Sequence, residues 1–252
     1  MILPFDPTVG AMALATVAAL IVGISKTSVG GLGAVAVALF ANLMPAKEST
    51  AAILLLLIIG DLVAVRTYYA DTDWRMLRRL LPAVLPGIVL GALFLRVVPE
   101  ASMRTALGLI LLVMVSLQLW QRRRRSASTG EHQLHPGYAV LTGVGAGFAT
   151  MAANSAGPVM AMYLLAARVD KARFIGTSAW YFMLVNLSKV PFSAFLGLYH
   201  VSTLWLTLVL LPVVLLGTWL GRLLVHRLSQ TSFERFTLVA STLAAVSLLV
   251  PR

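Results

Sequence analysis

The sequence predicts an all-α, polytopic membrane protein. About ten helical segments are expected, as two inverted five-segment repeats whose second and seventh helices are short or interrupted. Three observations carry this. The 252 residues are 59% hydrophobic and 12% charged, with a mean hydropathy of +0.90; soluble domains carry about 25% charged residues. The apolar runs are continuous, as in Ala51 to Ile59, without the period-two alternation of membrane β-barrel strands, and helices and closed barrels alone satisfy the backbone in lipid. Finally, similar Pro and Gly patterns recur in the two halves.

Met1 to Pro7 lacks the basic stretch of a cleaved signal peptide and reads as a short tail. Apolar runs between polar breaks then place the segments. Thr8–Ser25 ends at Lys26, and Val29–Met44 ends at Pro45. Ser49–Val65 stops at Arg66, Met76–Val98 at Pro99, and Ala101–Gln121 at Arg122 to Arg125. In the second half follow Pro136–Met151, Ala156–Ala167, Phe174–Leu198, Thr203–Val225 and Phe233–Val250. The second and seventh fall below the ~20 residues of a full span, which suggests half-helices or re-entrant pieces. The expected organisation is a first transmembrane repeat (1–121), a basic cytoplasmic linker (122–135) and a second repeat (136–252).

Charge orients the segments. With ten crossings and the N-terminus outside, 15 of the 20 Lys and Arg face the cytoplasm. Lys47, Arg96, Arg104 and Arg252 face outward, and Lys189 lies inside a span. This follows the positive-inside rule, and it accounts for the net charge of +11 without nucleic acid. The expected location is a bacterial cytoplasmic (inner) membrane, multi-pass, with both termini outside.

Pro82, Gly87 and Gly91 match Pro212, Gly217 and Gly221 at one spacing of 130 residues. Gly23, Gly30, Gly31 and Gly33 likewise correspond to Gly143, Gly145, Gly147 and Gly157. Five crossings per half would turn the copies in opposite directions. The basic loop Arg66–Arg79 agrees, since its counterpart Gly197–Thr203 has no Lys or Arg. Inverted repeats mark transporters whose site lies near the midplane, where interrupted helices meet.

Several functions are set aside. There is no cysteine, hence no disulfide framework, thiol catalysis or thiolate metal site. No Ser/His/Asp set, His-Glu pair or paired acids lie within the spans, so no enzyme and no cofactor is expected. Glu131, His132 and His135 sit in the linker without helical ligand spacing. Tyr68, Tyr69, Trp74, Tyr199 and Trp205 fall at span ends and read as interfacial anchors.

Four features put polar groups where lipid forbids them. The run Gly23 to Gly33 contains Ser25, Lys26, Thr27, Ser28, Gly30 and Gly31. Its glycines allow close approach, and its hydroxyls and the amides of the next helix start suit an anion; helix packing by small residues is the plain alternative. Its counterpart, Thr150 to Pro158, holds Asn154, Ser155 and Gly157. Asn154 or Ser155 caps the next helix, or that helix end also faces a bound anion. Asn186 and Lys189 share one helix face, beside the break in backbone bonding that Pro191 imposes. An intramembrane ammonium is a functional candidate by default; Lys189 either binds an anion or pairs with an acid. Asp61 is the acid well within a span, and it pairs with Lys189 or Lys26, carries a proton, or sits wet at a span end. Tyr181 is a weaker pocket candidate.

These motifs, in their order along nearly the whole chain, resemble the sulfite exporter TauE/SafE family of membrane permeases. The resemblance is carried by the two related halves, Gly30-Gly31-Leu32-Gly33, the connector Pro45 to Ala51, Thr150 to Pro158, Phe174 to Thr177, and Asn186 to Lys189. It implies ion-gradient-driven transport, without ATP, of small sulfur-containing or organic anions such as sulfite or a sulfonate. The expected partners are that anion, the lipid bilayer and a proton or other coupling ion. A non-transporting accessory subunit of a membrane complex is the alternative.

Overall fold

The computed structural model describes residues 3–6, 8–27, 32–125, 136–167, 171–227 and 230–250. The first half comprises α1 (Val9–Thr27), α2 (Gly33–Leu43), α3 (Ala46–Tyr68), α4 (Trp74–Val97) and α5 (Glu100–Arg125). The second comprises α6 (Pro136–Ala153), α7 (Gly157–Ala166), α8 (Lys171–Phe195), α9 (Val201–Arg227) and α10 (Gln230–Ser247). A 3-10 turn, Tyr69–Asp71, leads from α3 towards α4, and no strand occurs among the described residues. Each expected segment is a helix. α5 runs on to Arg125, into the stretch expected as linker.

Among the described residues, five stretches are long and apolar enough to cross a membrane: Val9–Thr27, Ala46–Asp71, Trp74–Val97, Glu100–Trp120 and Val201–Leu223. α2 and α7 are not, with 11 and 10 residues. At ~1.5 Å per residue they rise about 16 and 15 Å, roughly half of a ~30 Å hydrocarbon core. Of the five long stretches α3 is the inner one, 67% of its apolar window being buried against 28–39% for the others. The others turn large side chains such as Leu90, Val113, Leu208 and Trp219 outward, as helices facing lipid do.

Helix starts are tied down locally. Asp73 Oδ1 accepts the Met76 amide at 3.1 Å where α4 begins. The Glu100 carboxylate, at the start of α5, accepts the amides of Ala46 and Lys47 at the start of α3. A negative group beside free amides is favourable there.

Two helix pairs dominate the packing, α1 along α9 and α4 along α6. Each is centred on a glycine pair, Gly23 with Gly217 and Gly87 with Gly147; a Cβ on any of the four would strike the partner backbone. One turn on, Gly221 lies against Ile24 and Thr27, and Gly91 against Phe148 and Met151. Within each pair the helices therefore run parallel, close enough for backbone contact because small residues line the seam. The two seams correspond residue by residue. Gly87 and Gly91 precede Gly217 and Gly221 by 130 residues, and Gly23, Ile24 and Thr27 precede Gly147, Phe148 and Met151 by 124.

α3 and α8 run antiparallel. Gly176, near the start of α8, lies against Tyr68 and Asp71 at the end of α3. Nearby, Thr177 Oγ1 accepts the Asp73 amide at 2.9 Å. Farther along α8, Asn186 meets Asp61, which lies back along α3. This crossing, with the ends of α1 and α6 beside it, forms the polar centre of the molecule.

Candidate functional site

The site grows from one face of α8. Phe182, Asn186 and Lys189 are spaced i, i+4 and i+7, which stacks them on one side of a helix. Asn186 and Lys189 are each 1% exposed. Pro191 continues the helix but offers no amide to the Leu187 carbonyl one turn back, which loosens the backbone beside Lys189.

On the second-half side, α6 ends at Ala153 and α7 starts at Gly157. Asn154 makes the break: its φ is 49°, the left-handed region that Asn tolerates and that closes helices. The Ser155 amide reaches back to the Ala149 carbonyl at 3.3 Å. The Asn154 side chain turns inward, its Nδ2 donating to the Thr50 carbonyl on α3 at 2.9 Å. The ammonium of Lys189 donates to Asn154 Oδ1, to Thr150 Oγ1 at 3.2 Å and to Asn186 Oδ1 at 3.2 Å. All three protons of the ammonium are met by uncharged oxygens.

On the first-half side the arrangement is an ion pair. Lys26, in the last turn of α1, sets Nζ 2.6 Å from Asp61 Oδ1. Asp61 Oδ2 accepts from Asn186 Nδ2 at 2.6 Å. Asn186 thus bridges the carboxylate of α3 to the second ammonium on its own helix. Gly60 makes room for Lys26, because a Cβ there would sit 2.8 Å from Lys26 Cγ. The ring of Phe182 lies 4.8 Å from the Lys26 ammonium, a cation–π distance.

Of the expected site residues, Lys26, Asp61, Asn154, Asn186 and Lys189 are brought into one connected network. Asp61 pairs directly with Lys26 and reaches Lys189 only through Asn186. Ser25 and Thr27 turn elsewhere. Ser25 Oγ donates to the Val22 carbonyl of its own helix at 2.8 Å, and Thr27 Oγ1 to the Thr218 carbonyl of α9 at 2.8 Å. Ser155 is buried at the helix break and Gly157 begins α7. Ser28, Gly30 and Gly31 lie outside the described residues, as do Glu131, His132 and His135. Tyr181 is fully buried, edge-on to Phe182 at 5.2 Å between ring centres, and its hydroxyl has no hydrogen-bond partner among the described residues.

Two participants were not on the expected list. Thr150 opens the Thr150 to Pro158 run, and Phe182 is readable from its i−4 and i−7 spacing to Asn186 and Lys189.

Chemically, the network can present an ammonium and amide donors to a negative group, and it can hold an ion pair beside it. Lys189 is buried, so a ligand meets its ammonium only when the surrounding side chains move. No curated protein and no solved structure matches the chain. The model of the family described as "Sulfite exporter TauE/SafE" matches residues 15–248. That span takes in both helix breaks, both glycine seams and the whole polar network, and the chain belongs to this family of membrane transporters.

Proposed function

We propose that the protein is a secondary transporter that exports a small sulfur-containing or organic anion, such as sulfite or a sulfonate, across a bacterial inner membrane. The observation that carries this is Lys189. It is a fully buried ammonium in an apolar bundle, held by three uncharged oxygens, one of them on the helix break at Asn154. Burying a charge without a counter-charge is costly, and an anion at this position removes the cost.

In the proposed cycle the anion displaces Asn154 Oδ1 from Lys189. Its oxygens then take hydrogen bonds from Lys189, from Asn154 Nδ2 released by the Thr50 carbonyl, and from the amides at the start of α7 beside the buried Ser155 and Ala156. Asn186 orients it. The halves next rock about the site, in the manner of inverted repeats. The opposite run of α3 and α8, and the matching of the two glycine seams, support the inverted relation of repeats 1–121 and 136–252. An ion gradient drives the cycle, with the Lys26–Asp61 pair as the coupling element.

Counterflow of labelled sulfite in proteoliposomes tests the reading. Lys189→Ala is expected to lower flux at least ~100-fold, the cost of leaving an anion without its buried partner. Flux at the wild-type level in that variant would remove Lys189 from the mechanism.

A further inference from the structure

We propose that the Lys189 compartment selects its substrate by charge state: it accepts an oxyanion carrying one negative charge, and takes an acid with two ionisations only in its singly ionised form. This rests on the function proposed above and narrows the class of substrate.

The charged groups seen in the network among the described residues are few; Arg222, on α9, forms no bond or ion pair with them. α1 presents Lys26, α3 presents Asp61, and α8 presents Lys189 and the uncharged Tyr181. α6 presents Thr150, and the break after it Asn154, to Lys189. The arginines of α4, Arg75, Arg78, Arg79 and Arg96, lie in its first two turns and its last. Lys26 and Asp61 cancel each other across 2.6 Å. Asp61 is separated from Lys189 by Asn186, which donates one Nδ2 proton to Asp61 and accepts from Lys189. One positive charge is therefore left over.

A monoanion makes the loaded compartment neutral, with two ammoniums, one carboxylate and one ligand charge. A dianion leaves a negative charge uncompensated in a dry site beside Asp61. That is the arrangement buried ion networks avoid most strongly. A ligand of the form R–SO3⁻ or HSO3⁻ also supplies several oxygens. One can replace Asn154 Oδ1 on the ammonium while another meets Asn154 Nδ2, which leaves the Thr50 carbonyl as that side chain moves.

The test uses purified full-length protein and three probes: methanesulfonate, a monoanion at every pH; sulfate, a dianion through the neutral range; and sulfite, which passes from one to the other. Binding is measured by calorimetry and checked by counterflow. Methanesulfonate affinity is expected to be flat with pH. Sulfate is expected to bind about 100-fold more weakly. Affinity for total sulfite is expected to fall about tenfold per pH unit above its second ionisation, the slope of one linked proton. Sulfate binding as tightly as methanesulfonate would overturn the proposal, as would sulfite affinity that holds or rises with pH. So would a parallel fall for methanesulfonate, since the titrating group would then be the protein's. Lys189→Met separates the two readings. If it binds methanesulfonate as tightly as wild type, the Lys189 site itself is wrong, whatever the charge preference. If binding is lost in that variant but wild type takes sulfate equally well, only the charge rule fails. A folded wild type that binds none of the three overturns both.

Discussion

The two helix breaks are built on one plan and filled differently. The glycine seams set the register: Gly23, Ile24 and Thr27 on α1 stand where Gly147, Phe148 and Met151 stand on α6. By the same register Lys26 stands where Thr150 stands. Each faces a polar residue of the long helix beside it. In the first half that is Lys26 against Asp61, and in the second it is Thr150 against Lys189. The first slot closes on itself as an ion pair. The second contains a charge and no partner charge. A repeat that had kept two self-satisfied slots would have no reason to bind anything. On the proposed function, this difference is what makes the second slot the ligand site: the first fixes its own electrostatics, and the second is left one charge short.

The sharpest way to break this comparison is to measure stability and transport on both slots. Asp61→Asn strands Lys26 in the core, and removing one partner of a buried pair costs about 3–5 kcal/mol. Adding Lys26→Met to that variant removes the stranded charge and is expected to recover most of the loss, a coupling that a double-mutant cycle reads directly. Lys189→Met removes an ammonium with no counter-ion. It is expected to leave unfolding free energy unchanged or raised while transport disappears. Denaturant unfolding of wild type, Asp61→Asn, Lys26→Met, the double variant and Lys189→Met gives all five values. If Lys189→Met destabilises as strongly as Asp61→Asn, the two slots do not differ in kind.

A second measurement sharpens the claim that the halves are equivalent as scaffolds. Gly23→Val and Gly147→Val each place a branched side chain against a partner backbone, at repeat-related positions of the two seams. Overpacking of this kind costs about 1–3 kcal/mol. Equal scaffolds predict equal losses, within about 0.5 kcal/mol. One variant tolerated and the other unfolded would mean that the seams are not structural copies.

The sequence announced the helices because hydropathy and length dominate in lipid, and its polar interruptions lay near the centre. Lys189, Asn186, Asp61 and Asn154 stood out as polar groups in apolar surroundings, and they do meet. Which acid pairs with which lysine was not legible, since Asp61 and Asn186 are 125 residues apart and the choice depends on how α3 crosses α8. Ser25, Lys26 and Thr27 illustrate the same limit. Successive residues on a helix point about 100° apart. Only Lys26 therefore enters the network, while Ser25 turns to its own helix and Thr27 to α9. The exclusion of Thr27 from the site follows from rotation about α1, which composition does not encode.

Thr27 supplies the smallest effect and the most selective one. Its hydroxyl reaches the Thr218 carbonyl across the α1–α9 seam. The corresponding residue of the other seam is Met151, which has no hydroxyl. The bond is thus a feature of one half laid over a shared scaffold. Hydrogen bonds between membrane helices average about 0.6 kcal/mol, so Thr27→Val, which keeps the volume and loses the bond, is expected to cost about that much in unfolding free energy. Transport is expected to stay at the wild-type rate, since the hydroxyl touches no member of the Lys189 network. A large loss of flux with stability intact would move Thr27 into the binding machinery and make the first break, not only the second, a ligand surface.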